Sequence, residues 1–156
     1  DSDWARLGQQ KKIHSRARAR EEFGWDEGAF VVLHVGRMHH QKGQDILVRA
    51  FADLRRQVPD ARLVLVGDGP QFRQIGELAA VLGVGQSVDL VGQVRDVLPF
   101  LVAADVFAFP SRFAAFGIAL VEAMAVGLPS VLSRTPGLGR LAPTPSPFVV
   151  DSAHTG

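Results

Sequence analysis

The sequence alternates short apolar runs with amphipathic segments, and this alternation limits the possible folds more than any other feature. The runs Phe30–Val35 (FVVLHV), Arg62–Val66 (RLVLV) and Val106–Phe109 (VFAF) are mostly apolar, as expected of strands that are covered on both faces. Between the first two runs, apolar residues recur at helical spacing along Gln44–Val58. Helices that alternate with buried strands predict the α/β class: an open, mostly parallel sheet with helices on both faces.

The rest of the chain continues this alternation. The pattern predicts further strands at Val88–Val91, around Ser130–Ser133 and at Phe148–Val150, and further helices over residues 72–82, 95–104 and 116–126. The sequence after Ser133, TPGLGRLAPTPSP, is rich in Pro, Gly and Thr, which is typical of a loop.

The first 22 residues differ from the rest in being polar and basic. We predict that residues 1–22 form an interdomain segment or tail, which either docks as a helix or stays solvated. Residues 23–156 are predicted to form one α/β domain that lacks its closing C-terminal helices.

Composition excludes several classes of function. The net charge of +1 gives no global field for nucleic acid, so we expect no nucleic-acid partner. The absence of cysteine excludes disulfides and thiolate metal sites and suits a cytoplasmic protein. His34, His39 and His40 are poorly arranged for one metal ion, because His34 lies within a strand and the adjacent pair cannot easily aim both rings at one point. We therefore predict no metal site.

Residues that are hard to explain as core follow the predicted strands. Ligands of open parallel sheets bind beyond the carboxyl ends of the strands. The segments at these ends are Gly36–Gly43, Gly67–Pro70, Gly92–Val94 and Pro110–Gly117. Their glycines, one helix start and the basic residues Arg37 and Lys42 are typical of a site for phosphate. Each segment alone could be a solvated loop or a tight turn, and their convergence predicts an anion-binding site.

Glu122 is the only charged residue in the window FGIALVEAMAVG. Its helical neighbours three and four positions away are alanine, isoleucine and valine, which cannot pair with a carboxylate. It could pair with a residue from another element or simply be exposed. The third hypothesis is that it accepts hydrogen bonds from the two hydroxyls of a ribose.

Five motifs in this order resemble a known family: VGRMHHQKGQDILVRAF, LVGDGP, VDLVGQVRDV, ADVFAFPS and FGIALVEAMAVGLPSV. They are similar to the C-terminal, donor nucleotide-sugar-binding domain of the family 4, or "group 1", glycosyltransferases. The resemblance covers about Arg20 to Ser133. It implies one Rossmann-like half of a GT-B architecture, in which two such domains enclose the active site. The partners it implies are a nucleotide-sugar donor and an N-terminal acceptor domain that is missing from these 156 residues.

The resemblance also implies roles for individual residues. Arg37 and Lys42 match the catalytic pair that grips the donor diphosphate and stabilises it as the leaving group. Glu122 matches the second glutamate of the family's E-x7-E motif, which holds the ribose. The full predicted substrate-binding set is Gly36, Gly67, Gly69, Gln93, Val94, Phe116, Gly117, Ile118 and Glu122. No cofactor and no metal are implied.

Two departures from the family pattern bear on activity. Ala114 stands where the family has its first glutamate, and TPGLGR replaces the usual glycine pair with its acidic residue. The expected activity is sugar transfer with retention at the anomeric carbon, with the isolated chain binding its donor without turnover. The alternatives are a degenerate, non-catalytic nucleotide-binding domain, a nucleotide-sugar epimerase on a related fold and, less favoured, a nicotinamide dehydrogenase. A cytoplasmic location is implied, with peripheral association at the inner face of the membrane as an option for the full-length enzyme.

Overall fold

A computed structural model of the chain describes residues 15–112, 118–133 and 149–150. Within these residues six strands form one sheet: β1 (Phe30–Val35), β2 (Ala61–Val66), β3 (Val88–Gly92), β4 (Val106–Phe109), β5 (Ser130–Ser133) and β6 (Val149–Val150). Their order is β3-β2-β1-β4-β5-β6, and every neighbouring pair is parallel. This order is that of a Rossmann-like doubly wound sheet, so the predicted fold class is confirmed.

The described helices alternate with the strands. They are α1 (residues 15–23), α2 (Gln44–Gln57), α3 (Phe72–Val81), α4 (Leu98–Ala103) and α5 (Ile118–Ala125), with short 3₁₀ helices at His40–Lys42 and Gly85–Ser87. None of the helices in the described part of the chain is long and apolar enough to cross a lipid bilayer.

Helix α4 begins later than the sequence pattern predicts. The prediction of a helix over 95–104 was wrong at its start, because Asp96 Oδ1 accepts a hydrogen bond from Leu98 N at 3.0 Å and holds the preceding residues in a turn. The predicted helix start at Phe116 and the predicted strand start at Phe148 lie outside the described residues.

The two faces of the sheet are covered by different helices. Alternate residues of β1 point to opposite sides, so Val31 and Leu33 join Phe100 of α4 and Leu120 of α5 in one core cluster. Val32 joins a second cluster that includes residues of α2 and α3. Both faces are therefore buried, which explains why these strands are apolar along their length.

Arg20 ties α1 to the edge of the sheet opposite the strand carboxyl ends. The residue is 1% exposed, its Nε donates to Ala103 O at 2.9 Å, and its Nη2 donates to Asp105 Oδ2 at 2.8 Å. Its Nη1 donates to three further carbonyl oxygens, those of Asp26, Glu27 and Ala29. The described part of the basic N-terminal segment is thus a docked helix, while the division of the chain at residue 22 stays a prediction.

Candidate functional site

A cleft of about 750 Å³ lies beyond the carboxyl ends of β1, β2 and β3. It is lined by Val35, Gly36, Arg37, Val66, Gly67, Asp68, Gly69, Pro70, Gln93, Val94 and Val97. Six of these residues belong to the set predicted from the sequence: Gly36, Arg37, Gly67, Gly69, Gln93 and Val94. We call this space the first cleft.

A second cleft of about 590 Å³ adjoins the first. It is lined by residues of α4, α5 and the turn before α4, including the predicted Ile118 and Glu122. Val35 and Val97 line both clefts, so the two spaces meet at the end of β1. The strand order reverses between β1 and β4, which is where doubly wound folds place their ligands.

Each cleft presents a charged side chain that has no counter-ion among the described residues. The Arg37 guanidinium is exposed in the lining of the first cleft, and the half-buried Glu122 carboxylate lies in the lining of the second. The ion pairs within the described ranges involve other residues. A cation and an anion held apart along one surface suit a ligand that has an anionic part and a hydroxyl-bearing part.

Lys42 lies apart from both cleft linings. It belongs to the 3₁₀ helix after β1, is half-buried, and its Nζ stands 5.9 Å from the centroid of the Phe109 ring. This distance permits a cation–π interaction. Its part in gripping a diphosphate stays a prediction. Phe116 and Gly117, also predicted to bind substrate, lie outside the described residues, as does Ala114.

Gly67 and Gly69 allow the segments after β1 and β2 to pack closely. A Cβ at Gly67 would overlap the carbonyl oxygen of Gly36, and one at Gly69 would lie 2.8 Å from Met38 N. The same segments are joined by hydrogen bonds from Met38 N to Asp68 O and from Gln71 N to Met38 O, both 3.0 Å long. The two glycines therefore shape the wall of the first cleft whether or not their backbone also contacts a ligand.

Comparison with known proteins identifies the family. The sequence matches the family model described as "Glycosyl transferases group 1" over residues 15–142. The chain belongs to this family. The resemblance seen in the sequence motifs is thereby confirmed for this glycosyltransferase domain.

Two curated relatives are each 40% identical to this domain. One is the GDP-mannose-dependent alpha-(1-6)-phosphatidylinositol monomannoside mannosyltransferase of Mycolicibacterium smegmatis, matched over 79% of this chain and 34% of the relative. The other is the D-inositol 3-phosphate glycosyltransferase of Salinispora arenicola, matched over 81% of this chain and 31% of the relative. The chain thus spans about a third of the length of the curated relatives it matches.

Solved structures share the fold of the glycosyltransferase domain. Anabaena Alr3699/HepE, crystallised in complex with UDP and glucose, superposes with a TM-score of 0.80 at 28% identity. The superposition covers 88% of this chain and 38% of that chain.

A network of buried hydrogen bonds that we did not predict lies beneath the first cleft. His34 and Gln44 are both 0% exposed, and Gln44 Nε2 lies 3.1 Å from His34 Nε2 and 2.7 Å from the carbonyl oxygen of Arg37. His34 Nδ1 lies 2.9 Å from Ala108 O. Burial lowers the pKa of His34 to about 4, although the hydrogen bond to Ala108 opposes this shift, so the ring is neutral at pH 7. His34 is thus a satisfied core residue.

An ion pair connects the segments that follow β1 and β4. Arg112 Nη1 and Nη2 donate to the two carboxylate oxygens of Asp45 at 2.8 and 2.9 Å, and Arg112 Nη1 also donates to His40 O at 2.7 Å. The hydrogen bond from Arg112 lowers the pKa of Asp45, and it outweighs the opposing effect of burial. We call Asp45 and Arg112 the loop clamp. It fixes the chain just before residues 113–117, which include Ala114.

We expect the loop clamp to contribute a measurable coupling to stability. The two side chains are only 25% and 30% exposed and the pairing is bidentate, so a double-mutant cycle of Asp45→Ala and Arg112→Ala should give a coupling of about 1 kcal/mol. Urea denaturation of the four proteins measures it. The exposed pair Arg73–Glu77 is the control, and its cycle should give a much smaller coupling. Equal couplings for the two pairs would contradict this assignment.

Among the described residues, no group of three or more His, Asp or Glu side chains could hold a metal ion. The charged side chains in the two cleft linings are Arg37 and Asp68 in the first and Arg95, Asp96 and Glu122 in the second.

Proposed function

We propose that this domain binds a nucleoside-diphosphate sugar across the two adjoining clefts, as the donor half of a retaining glycosyltransferase. The observation that carries this proposal is the placement of the unpaired Arg37 and Glu122 side chains along one surface, with Val35 and Val97 shared between the cleft linings. The UDP complex of HepE, a structural relative, supports the nucleotide part of the proposal.

In the proposed complex each charged side chain binds a different part of the donor. The Arg37 guanidinium donates hydrogen bonds to the diphosphate, a geometry that a planar fork of donors satisfies well. The Glu122 carboxylate accepts hydrogen bonds from the ribose hydroxyls. Gln93 and Val94 border the first cleft and are proposed to lie along the base. No metal ion is part of the proposal.

The proposed reaction transfers the sugar to a hydroxyl group of an acceptor. The bond between the anomeric carbon and the diphosphate oxygen breaks, a glycosidic bond forms with the same anomeric configuration, and the proton of the acceptor hydroxyl passes to the departing diphosphate. Negative charge grows on the departing diphosphate, and Arg37 is placed to stabilise it. The acceptor would bind to a further domain, because the curated relatives are about three times as long as the part that this chain matches.

A second candidate is a domain that binds its nucleotide without catalysing transfer. Ala114 favours it, since a methyl group cannot replace the carboxylate that the family places there. Assaying the full-length protein beside its Ala114→Glu variant separates the two candidates. Robust transfer by the unaltered protein would dismiss the non-catalytic alternative, and transfer by the variant alone would support it. The family match favours transfer over the epimerase reading.

Calorimetric titration with UDP, GDP and ADP tests the binding site. Arg37→Ala should weaken the best-binding diphosphate at least about tenfold, because charge-assisted hydrogen bonds are lost. It should leave the corresponding nucleoside unaffected. Glu122→Ala should weaken both the diphosphate and the nucleoside, and its effect should be smaller with the 2′-deoxy nucleotide, which lacks one of the two hydroxyls.

Arg73→Ala and Glu77→Ala serve as matched controls. Both side chains are exposed on α3 and pair with each other, outside both cleft linings. Neither control should change affinity. The site assignment would be wrong if Arg37→Ala and Glu122→Ala bound the diphosphate as tightly as the unaltered chain.

A further inference from the structure

We propose that Gln44 is a positioning residue for Arg37, acting on the backbone of the turn after β1 without touching the ligand. This inference rests on the function proposed above, because it concerns how the diphosphate-binding guanidinium is held in place. It is carried by the buried hydrogen bonds of Gln44.

The side-chain amide of Gln44 joins two parts of the structure. Gln44 is the first residue of α2, and its Nε2 atom lies 2.7 Å from Arg37 O and 3.1 Å from His34 Nε2. Because the Arg37 carbonyl can only accept, the amide nitrogen must face it and donate. The second amide hydrogen is then directed to His34 Nε2, which must be unprotonated to accept it.

The direction of these hydrogen bonds continues through His34. With Nε2 as acceptor, the neutral ring carries its proton on Nδ1 and donates it to Ala108 O at 2.9 Å. The chain of bonds therefore links β4, β1, α2 and the Arg37 carbonyl. His34 also packs beneath Gly36, since a Cβ on that glycine would lie 3.2 Å from His34 Nε2. The turn thus rests directly on the His34–Gln44 pair.

The Gln44 side chain is an unfavourable choice for stability alone. Its Oε1 atom is buried and has no hydrogen-bond partner among the described residues. A buried acceptor without a partner costs free energy that an apolar side chain of similar size would not cost. The feature that an apolar side chain could not supply is the pair of donated hydrogen bonds, one of which fixes Arg37.

Arg37 depends on this support because its own side chain is exposed and has no counter-ion among the described residues. The neighbouring backbone is held by bonds from Gly36 N to Val66 O at 2.9 Å and from Met38 N to Asp68 O at 3.0 Å. The Arg37 carbonyl receives its bond from Gln44. A displacement of about 1 Å in a catalytic or binding group can cost roughly a hundredfold in rate.

The decisive test is a binding cycle with Gln44→Met and Arg37→Ala. Methionine keeps the length of glutamine and removes both donors. We expect Gln44→Met to weaken the best-binding of UDP, GDP and ADP about tenfold, as expected when a charge-assisted contact is misplaced. The nucleoside should bind unchanged. In the Arg37→Ala background, Gln44→Met should have no further effect, because the group that it positions is gone.

Ser130→Ala is the control for the loss of a buried hydrogen bond far from the turn. Ser130 is 2% exposed and its Oγ donates to Leu128 O at 3.1 Å. The Ser130→Ala substitution should lower the stability of the chain and leave its affinity for the diphosphate unchanged. If Gln44→Met behaves like this control, or if its effect on diphosphate affinity persists in the Arg37→Ala background, Gln44 has a structural role only and the proposal is overturned.

Amide hydrogen exchange tests the positioning role in the absence of ligand. Amide hydrogen exchange of Gly36 and Met38, whose N–H groups are hydrogen-bonded in the turn, should accelerate in Gln44→Met in the free chain, while exchange in β2 stays unchanged. Unchanged exchange at the turn would overturn the proposal. If Gln44→Met fails to fold, His34→Leu serves in its place, because it removes the second acceptor of the Gln44 amide. It should give the same changes in diphosphate affinity and amide exchange, with a smaller amplitude.

The binding titrations also distinguish failure of this inference from failure of the proposed function. If the unaltered chain binds none of the three diphosphates, both are overturned. If the unaltered chain binds normally and Gln44→Met has no effect on diphosphate affinity, this inference alone is overturned.

Discussion

Replacing Gly43 with alanine will lower the free energy of unfolding by about 4 kcal/mol, the sum of backbone strain and steric overlap. Gly43 lies between the 3₁₀ helix and α2 with φ at +71°, a conformation that favours glycine. A Cβ there would overlap the carbonyl oxygen of Pro110, so the segments after β1 and β4 would be forced apart. Because the loop clamp spans the same two segments, it should weaken as well.

Gly83→Ala is a closely matched control for this prediction. Gly83 has φ at +76°, and a Cβ there would meet no heavy atom within 4 Å. It should therefore show the backbone strain alone, about 1 kcal/mol. Urea denaturation measures both variants. Equal losses in the two variants would mean that the contact with Pro110 relaxes at little cost.

Acidification from pH 6.5 to pH 4 will remove about 3 kcal/mol of stability through His34 alone, since each unit of pKa difference is worth about 1.4 kcal/mol. The pKa of this imidazole falls from 6.5 to about 4 on folding because the ring is fully buried. Between these values the unfolded chain binds a proton that the folded chain does not. Stability from this group is therefore complete above pH 6.5 and is lost as the pH falls towards 4.

The pH dependence can be assigned to His34 by substitution. The hydrogen bond from Arg112 lowers the pKa of Asp45. Burial raises the pKa of Asp105, but hydrogen bonds from Val31 N and two arginines outweigh it, so that pKa is lowered as well and both carboxyl groups remain mostly ionised in this window. Denaturation of the unaltered chain and of His34→Leu should be compared at several values between pH 4 and 7. The substitution should remove most of the slope, whereas replacing the exposed His40 with glutamine should not. A slope that persists in His34→Leu would refute the buried, neutral imidazole.

Much of the fold could be predicted because the central strands lie between two layers of helices. The bounds of β1, β4 and β5 match the sequence pattern, and for β1 and β4 the reason is that strands buried on both faces are largely apolar, whereas β5 has serine at both ends. The start of α4 was missed because a side-chain hydrogen bond of Asp96 sets it, which periodicity does not report.

The location of the candidate site could be predicted for residues whose position is set by the strand topology. Gly36, Arg37 and Gly67 follow parallel strands, so they meet at one edge of the sheet whatever their side chains do. Lys42 belongs to the same loop as Arg37, and a 3₁₀ helix places it outside both cleft linings, near Phe109, so its contact with a diphosphate stays a prediction. Spacing along a loop does not reveal how the loop turns.

Two polar pairs, one half-buried and one fully buried, were not predicted. Asp45 and Arg112 are 67 positions apart, and nothing local to either residue indicates the pairing. His34 was considered only as a metal ligand. A histidine inside an apolar strand, followed ten positions later by a glutamine at a helix start, was the available signal for their hydrogen bond.

The contacts of Arg20 have a consequence for anyone who exchanges this domain between enzymes. A junction placed after residue 22 would take Arg20 from the incoming partner sequence. If that sequence lacks an arginine in the same register, the carbonyls of Ala103 and Ala29 lose their donor and Asp105 loses a counter-charge. In a chimaera, α1 should therefore come from the same protein as the sheet, and the junction should lie before residue 15.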